Sequence, residues 1–228
     1  ILFCTDGIFP HAIGGMQRHS RLLLQELAQN TNLHIVVVHP HEHEVFNTYQ
    51  NITEIRIKGI NPQNNYLKEC YAYSKRVYNI ILKYPEHIVY SQGLSVWHKI
   101  AHIKNTVIIN PHGLESFQAM GPKAKLTAIP FKIIFKHLFK QADYIVSLGG
   151  KLTAILEKNT PDKNKIVVLP NAVNLPENTV QKQFDKKLKF LFVGRFEQNK
   201  GIFYLLQAIQ VLNNSAIADS YSLVFAGK

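Results

Sequence analysis

Residues 188–201 read Leu-Lys-Phe-Leu-Phe-Val-Gly-Arg-Phe-Glu-Gln-Asn-Lys-Gly, and the order of residue types in this stretch decides the fold. The apolar run predicts a buried strand, and the apolar pattern that begins at residue 202 predicts a helix. Between them, Arg195 offers a planar guanidinium and Lys200 a point charge, while the helix start adds free backbone N–H groups. This order predicts a diphosphate-binding site; a solvated turn with two exposed cations is the plainer alternative.

Short apolar runs alternate with helical patterns along the whole chain. Several runs are continuous blocks of large aliphatic and aromatic residues, which is typical of strands buried on both faces of a parallel sheet. Strands are predicted at residues 1–5, 33–39, 52–58, 88–91, 106–110, 144–148, 165–169, 189–193 and 221–226, and the clearest helices at residues 17–29, 66–82 and 203–212. The sequence therefore predicts an α/β fold with right-handed crossovers, in which ligands bind beyond the carboxyl ends of the strands.

A polar stretch after Asn171 divides this pattern into two parts. It is rich in glutamine, asparagine, lysine and glutamate, which suits a linker. We expect a complete Rossmann-like domain at residues 1–173, a linker at 174–187 and the beginning of a second Rossmann-like domain at 188–228.

The composition is that of a globular protein with a strong positive charge. The 228 residues are 46% apolar, and the 2 cysteines are too few for a disulfide framework. This cysteine count predicts a reducing, cytoplasmic protein, and no apolar run reaches the length of a membrane span. The formal net charge is +11, and residues 120–165 hold nine lysines and three acidic residues. Such a patch attracts polyanions, anionic lipids or phosphorylated ligands, but no basic motif interleaved with aromatic residues points to nucleic acid.

Two further loops follow predicted strands and carry residues suited to a ligand. After the first strand, Gly14 and Gly15 open a helix, where a ligand could approach the backbone closely and meet unpaired N–H groups. After the fifth strand, His112 is followed by Gly113, so an imidazole stands at the carboxyl end of a strand. An ordinary glycine turn and a structural histidine are the alternatives.

The segment around Pro130 predicts a basic amphipathic helix. At 100° per residue, four lysines fall within about 80° of one another, with apolar residues on the opposite side: Lys125, Lys132, Lys136 and Lys140. Pro130 interrupts the pattern, which predicts a helix in two pieces. A surface helix with a lysine stripe is one interpretation, and a helix that lies on the inner, anionic face of a membrane is the other.

Five motifs, taken in their order along the chain, resemble those of one family. They are Gly14-Gly15, His112-Gly113-Leu114-Glu115, Ala142-Asp143-Tyr144-Ile145-Val146-Ser147, Pro170-Asn171-Ala172-Val173, and Gly194-Arg195 with Lys200-Gly201. With them the chain resembles the GT-B-fold glycosyltransferases of family 4, a retaining class that uses nucleotide-sugars. The resemblance covers nearly the whole chain.

The resemblance implies a role for each of these residues. Arg195 and Lys200, beside Gly194, would hold the donor diphosphate and stabilise the leaving group. Gly15 would let the glycine loop approach the donor phosphates or the acceptor. His112 would be the catalytic residue, in contact with the transferred sugar. The resemblance further implies a nucleotide-sugar donor, a glycan or lipid-linked acceptor, and no metal or other cofactor.

Two features depart from the family's pattern. Ala172 stands where glycine is usual, and the family's paired glutamates are absent, so we expect the sequence to stop within the second domain and to be inactive by itself. Two other functions stay open: a nucleotide-sugar epimerase of the same fold, and a non-catalytic module whose basic helix binds membranes or polyanions. The motifs at His112 and at Arg195 favour sugar transfer over epimerisation.

Overall fold

The protein forms two compact units, Ile1–Asn174 and Leu175–Lys228. The computed structural model describes residues 1–173, 175, 187–194, 196, 200–215 and 220–227. Most of the predicted linker at 174–187 and the predicted phosphate ligand Arg195 lie outside the described residues.

All nine predicted strands are present, and their bounds differ from the predicted ones by a few residues at most. The strands are β1 Leu2–Cys4, β2 Ile35–His39, β3 Ile52–Arg56, β4 Val89–Gln92, β5 Val107–Asn110, β6 Tyr144–Ser147, β7 Ile166–Val168, β8 Leu188–Val193 and β9 Tyr221–Ala226. The α-helices are α1 Gly15–Asn30, α2 Tyr66–Ile81, α3 Pro122–Gln141, α4 Lys151–Asn159 and α5 Ile202–Asn213. Short 3-10 helices cover Ile100–His102, Glu115–Gln118 and Lys163–Lys165.

The first unit is built on a seven-stranded sheet in the order β3-β2-β1-β4-β5-β6-β7. Every neighbouring pair of these strands is parallel. The chain builds outward from β1 to β3 and then returns to the other side of β1 as β4, so the strand order reverses between β1 and β4. Such a reversal opens a crevice at the carboxyl ends of the two strands, where ligands bind in sheets of this kind.

Alternate residues of the strands pack under opposite layers of helices. Leu2 of β1 lies in a core cluster that includes Tyr73 of α2 and Leu138 of α3. Phe3, the next residue of β1, lies in a second cluster with Leu24 of α1. Because a strand points successive side chains to opposite faces, the sheet needs an apolar residue at nearly every position, and β2 is buried throughout. This explains the continuous apolar blocks of β1 and β2. The apolar run of β8 forms a strand as predicted, but this strand is mostly exposed and not buried.

Helix α3 corrects one prediction. Pro130 lies inside a single 20-residue helix and does not divide it into two pieces. Proline removes one backbone hydrogen bond, to the carbonyl four residues earlier. Here that carbonyl belongs to Leu126, and both residues are exposed, so water can satisfy it. Buried Ala128 and Ile134 hold the two halves of the helix against the first unit.

The second unit contains a β-α-β element. Strands β8 and β9 are parallel over six residue pairs, and helix α5 lies between them in the sequence. The Gly194 N–H donates to the Ala226 carbonyl at 3.0 Å. A Cβ at Gly227 would lie 1.8 Å from the Gly194 carbonyl oxygen, so glycine is required where the two strands end.

Candidate functional site

The carboxyl edge of the first sheet brings together three segments that lie far apart in the sequence. The glycine loop follows β1 and leads into α1, Gln92 ends β4, and His112 comes two residues after β5. Gln92 and Asn110 are direct neighbours in the β4–β5 register. The strand-order reversal beside β1 therefore gathers the predicted glycine loop and the predicted catalytic histidine at one crevice.

His112 is held in a conformation that few histidines adopt. Its φ is 55°, in the left-handed region, which costs an L-residue roughly 1–2 kcal/mol. Its N–H donates to Asn110 Oδ1 at 3.0 Å, and Asn110 Nδ2 donates to the Tyr90 hydroxyl at 3.0 Å. These contacts turn the chain sharply at the end of β5 and fix the imidazole at the sheet edge. Backbone strain that its surroundings maintain is often found at functional sites.

His19 of α1 packs against His112. The ring centroids are 5.1 Å apart and the ring planes meet at 73°, an edge-to-face arrangement. Burial, and secondarily the charge of a protonated His19, lower the pKa of His112 to about 3. Burial also lowers the pKa of His19. Both rings are therefore neutral near pH 7, and the Nε2 atom of each is buried without a hydrogen-bond partner in the described part of the chain.

Gln92 brings an amide group to the same region. Its side chain is completely buried, and one end of the amide contacts the Ser20 hydroxyl, which lies one residue after His19 on α1. Ser20 Oγ also lies 2.8 Å from the Met16 carbonyl oxygen, so its single proton can be donated to only one of these two acceptors at a time. Gln92 Nε2, at the other end of the amide, has no partner among the residues that the structure describes.

The glycine loop presents its backbone differently at its two glycines. A Cβ on Gly14 would lie 2.2 Å from Gln17 Oε1, whereas a Cβ on Gly15 would meet no atom within 4 Å. Gly15 is the first residue of α1, so its missing side chain leaves open space next to a helix N-terminus. This is the arrangement that the predicted close approach of a ligand requires.

A series of hydrogen bonds connects β3 to the glycine loop. Glu54 of β3 lies 2.7 Å from His39 Nε2, and the His41 N–H donates to His39 Nδ1 at 3.1 Å. The His39 proton is therefore on Nε2 and points at the carboxylate. His41 Nε2 in turn accepts from the Ile8 N–H at 2.7 Å. The loop between β1 and α1 is thus held by contacts that begin two strands away.

Replacing His41 with glutamine should make the first unit less sensitive to acid. Burial, the largest cause, lowers the pKa of His41 from 6.5 to about 4. Between these values the unfolded chain binds a proton that the folded chain does not, so folding stability falls as the pH drops from about 6.5 towards 4. Glutamine can still accept from the Ile8 N–H but does not titrate.

The measurement is the free energy of unfolding in urea at pH 7.0 and pH 5.0, compared among wild type, His41→Gln and the control His43→Gln. His43 is an exposed histidine of the same loop. We expect the smallest loss of stability in His41→Gln. An equal loss in all three proteins would show that His41 does not take up a proton on unfolding.

The second unit carries the remaining predicted donor residues. Gly194 directly follows β8, and exposed Lys200 precedes Gly201 and the first residue of α5. Gly201 has a φ of 77°, which favours glycine. The strand–loop–helix order predicted for this segment is present in the described residues, and the roles of Gly194, Arg195 and Lys200 stay predictions.

The four predicted membrane-contact lysines lie along α3. Lys125, Lys136 and Lys140 are exposed, and Lys132 is half-buried. Beside them α3 exposes three aliphatic side chains: Leu126, Ile129 and Ile133 are 68%, 47% and 64% exposed. The sequence pattern had identified the lysines and the buried side of the helix, but not this exposed aliphatic strip.

Sequence reasoning missed His19 and Gln92. The fold packs His19 against His112 and pairs Gln92 with Asn110, two residues before His112. The available signals were weak: a histidine one turn after Gly15, and a glutamine at the end of an apolar strand. The histidines at positions 39, 41 and 43 are used in hydrogen bonding and ring packing. Within the described ranges, no group of three histidine, cysteine, aspartate or glutamate side chains is arranged to hold a metal ion.

Comparison with known proteins gives the family. Residues 13–177 match the sequence profile of Glycosyltransferase Family 4, which is well over half of the 228 residues. The chain therefore belongs to Glycosyltransferase Family 4, and the resemblance read from its five motifs is confirmed. A curated relative, an "Uncharacterized 41.2 kDa protein in cps region" of Klebsiella pneumoniae, is 34% identical over 139 residues, which cover 54% of this chain and 37% of that protein.

Solved structures show the same fold at low sequence identity. WaaG, described as a glycosyltransferase involved in lipopolysaccharide biosynthesis, matches 100% of this chain and 64% of its own with a TM-score of 0.68 and 17% identity. UDP-N-acetylglucosamine 2-epimerase from Rickettsia bellii matches 100% of this chain and 62% of its own with a TM-score of 0.57 and 13% identity. The predicted α/β fold of GT-B type is confirmed. The chain spans about a third of the curated relative and less than two thirds of these structures.

Proposed function

We propose that the full-length protein transfers a sugar from a nucleotide-sugar to a glycan or lipid-linked acceptor, with retention of configuration. Membership of Glycosyltransferase Family 4 carries this proposal. The crevice at β1 and β4 supports it, because open backbone at Gly15 and the neutral imidazole of His112 occur at one edge of the sheet. A neutral imidazole can donate or accept a hydrogen bond at a sugar without binding the diphosphate.

The diphosphate is assigned to the second unit. Arg195 and Lys200 would hold it and stabilise the negative charge that develops on the leaving group. A positive guanidinium and ammonium can supply this stabilisation, so we propose that the reaction needs no metal and no other cofactor. Gly194 and Gly201 would let the phosphates approach the backbone at the start of α5.

The test is calorimetric titration of the full-length protein with UDP, GDP, ADP and their sugar conjugates, followed by product analysis. Arg195→Ala and Lys200→Ala should each weaken binding of the preferred nucleoside diphosphate by about tenfold, because a charge-assisted hydrogen bond is lost. Unchanged affinity in both variants would reject diphosphate binding by Arg195 and Lys200. Because an epimerase shares this fold, the product decides between the two functions. An epimerised nucleotide-sugar that forms without an acceptor would show that the protein is an epimerase and not a transferase.

Gly15→Ala tests whether a ligand rests against the backbone of the glycine loop in the first unit. The substitution should leave folding intact or stabilise it by up to about 1 kcal/mol, because alanine favours a helix more than glycine does and meets no neighbour. It should still weaken ligand binding by about tenfold if a ligand rests against this backbone. Thermal unfolding and titration of the same sample check the two parts. Full binding affinity in the variant would contradict the role proposed for Gly15.

We further propose that the exposed face of α3 binds an anionic membrane surface on its cytoplasmic side, where lipid-linked acceptors would be found. Exposed lysines next to Leu126, Ile129 and Ile133 combine electrostatic attraction with apolar insertion. None of the helices in the described ranges is both long enough and apolar enough to cross a membrane.

Sedimentation with vesicles of phosphatidylcholine alone, or mixed with phosphatidylglycerol, tests the surface. Charge reversal of Lys125, Lys136 and Lys140 to glutamate should abolish binding to the mixed vesicles. Reversal of Lys75, Lys83 and Lys104, exposed on other segments, changes the net charge equally and should preserve it. Equal loss in both triple variants would indicate attraction by overall charge only.

A further inference from the structure

Five polar residues, which we call the crevice ring, are linked in a closed series by three contacts, one strand pairing and one step along the chain at the β1–β4 crevice. The His19 ring packs on His112, the His112 N–H donates to Asn110, Asn110 is the register neighbour of Gln92, and Gln92 contacts Ser20, which adjoins His19 in the chain. Every member is buried. The crevice ring contains no lysine, arginine, aspartate or glutamate, so it offers hydrogen bonds without a net charge.

Three members of the crevice ring each keep one buried nitrogen without a partner in the described residues: His19 Nε2, Gln92 Nε2 and His112 Nε2. Native proteins leave few buried polar groups unpaired, because each loses its hydrogen bonds to water and gains none. Three such atoms in the crevice ring indicate a site that is completed by a ligand. The sequence-based role of His112 accounts for only one of them.

We propose that His19 and Gln92 are hydroxyl-binding residues which, together with His112, hold a sugar unit in the crevice. The inference rests on the proposed sugar-transfer function and adds two specificity-determining residues to it. A neutral imidazole and a carboxamide each present donor and acceptor capacity, and a sugar hydroxyl both donates and accepts. The crevice ring lacks the lysine and arginine side chains that favour a phosphate.

The packing of the two imidazoles also assigns a positioning role to His19. Its edge-to-face contact, with planes at 73°, limits rotation of the His112 imidazole about its own side-chain bonds. The contact comes from the second turn of α1, whose first residue is Gly15. A ligand against the glycine loop and a sugar against His112 would therefore be bound by the same helix.

Two substitutions each remove one unpaired nitrogen, of His19 or of Gln92, while the new side chain keeps a similar shape. His19→Phe keeps an aromatic ring against His112, and Gln92→Met keeps the side-chain length of Gln92. His19→Phe should fold as well as wild type, because it removes a buried nitrogen that has no partner in the described residues. Gln92→Met also removes the amide oxygen that contacts the Ser20 hydroxyl, so urea unfolding of each variant is measured before the titration. The control is His102→Gln, an exposed histidine in a 3-10 helix.

The experiment titrates the full-length proteins with UDP-glucose, UDP-N-acetylglucosamine, GDP-mannose, UDP and GDP. We expect His19→Phe and Gln92→Met to weaken the preferred nucleotide-sugar by about tenfold, the effect of one lost hydrogen bond. Binding of the matching nucleoside diphosphate should not change. When the wild type binds a nucleotide-sugar, equal weakening of both ligands, or weakening of neither, overturns the proposal.

Imidazole nitrogen-15 NMR separates this inference from the proposed function. Glucose, galactose, mannose and N-acetylglucosamine are added as free sugars, which represent an acceptor. A saturable chemical-shift change at Nε2 of His19 and His112 on addition of a free sugar supports hydroxyl binding. If this change occurs and no nucleotide binds, the proposed donor-dependent function is wrong but the sugar-binding inference stands. Absence of a shift with every free and nucleotide-linked sugar overturns the inference.

Discussion

Replacing His112 with asparagine should lower sugar transfer by about 10²–10³-fold, the range found when one preorganised hydrogen-bonding group is removed from an active site. Folding stability should stay within about 1 kcal/mol of wild type. Asparagine tolerates the left-handed conformation that His112 adopts at φ 55°, and the relief of strain offsets the lost contact with His19. The measurements are the initial rate of product formation and urea unfolding.

His112→Ala is the matched comparison, because alanine lacks the imidazole but keeps the unfavourable backbone conformation. It should lose as much activity as His112→Asn and should be less stable than that variant by roughly 1 kcal/mol. A variant that retains transfer within threefold of wild type would remove His112 from the catalytic residues. Equal stability of the two variants would show that the strain at this position is negligible.

Replacing Glu54 with leucine should destabilise the first unit by about 3–4 kcal/mol, in the range expected when one partner of a buried hydrogen-bonded pair is removed. Glu54 accepts from the Val45 N–H at 2.9 Å, from the Phe46 N–H at 2.7 Å and from His39 at 2.7 Å. Burial alone would raise the pKa of Glu54, but these hydrogen bonds together hold the pKa below its ordinary value. Leucine leaves all three donors without an acceptor.

Trp97 makes this loss measurable, because it is the 1 tryptophan of the chain and packs against the core of the first unit. Urea unfolding followed by its fluorescence gives the free energy for that unit. Glu54→Gln, which keeps one acceptor oxygen, should lose less stability. Glu44→Ala removes an exposed carboxylate from the neighbouring loop and should change stability by less than about 0.5 kcal/mol. A loss below about 1 kcal/mol in Glu54→Leu would contradict the role of the carboxylate in ordering residues 41–46.

The central strands β1, β2 and β4 were predictable because burial on both faces imposes a simple pattern. Val36, Val37 and Val38 are all fully buried, and no other element of this length requires three such residues in succession. The position of His112 at a strand's carboxyl end was predictable for the same reason, since the end of an apolar run marks the end of the strand. The left-handed conformation of His112 was not, because it depends on the side-chain contact with Asn110.

Helix α3 shows what the sequence pattern could not predict. Proline predicts a break from local chemistry, yet Pro130 stays in one helix because buried residues on both sides of it pack on the same core. The lysine stripe followed from 3.6-residue periodicity. The exposed strip of Leu126, Ile129 and Ile133 could not be recognised, because the periodicity does not say how much of an apolar face the neighbouring elements will cover.

The sequence by itself determined the alternation of strands and helices, the family, and the residues that follow each strand, because all of these depend on contacts between near neighbours and on local residue types. Only the tertiary structure decided that β4 returns beside β1, which brings His19, Gln92 and His112 into the crevice ring. Ser20, next to His19 on α1, and Gln92 at the end of β4 are 72 positions apart in the sequence. No local pattern specifies such a meeting, since it follows from the order in which parallel strands join the sheet.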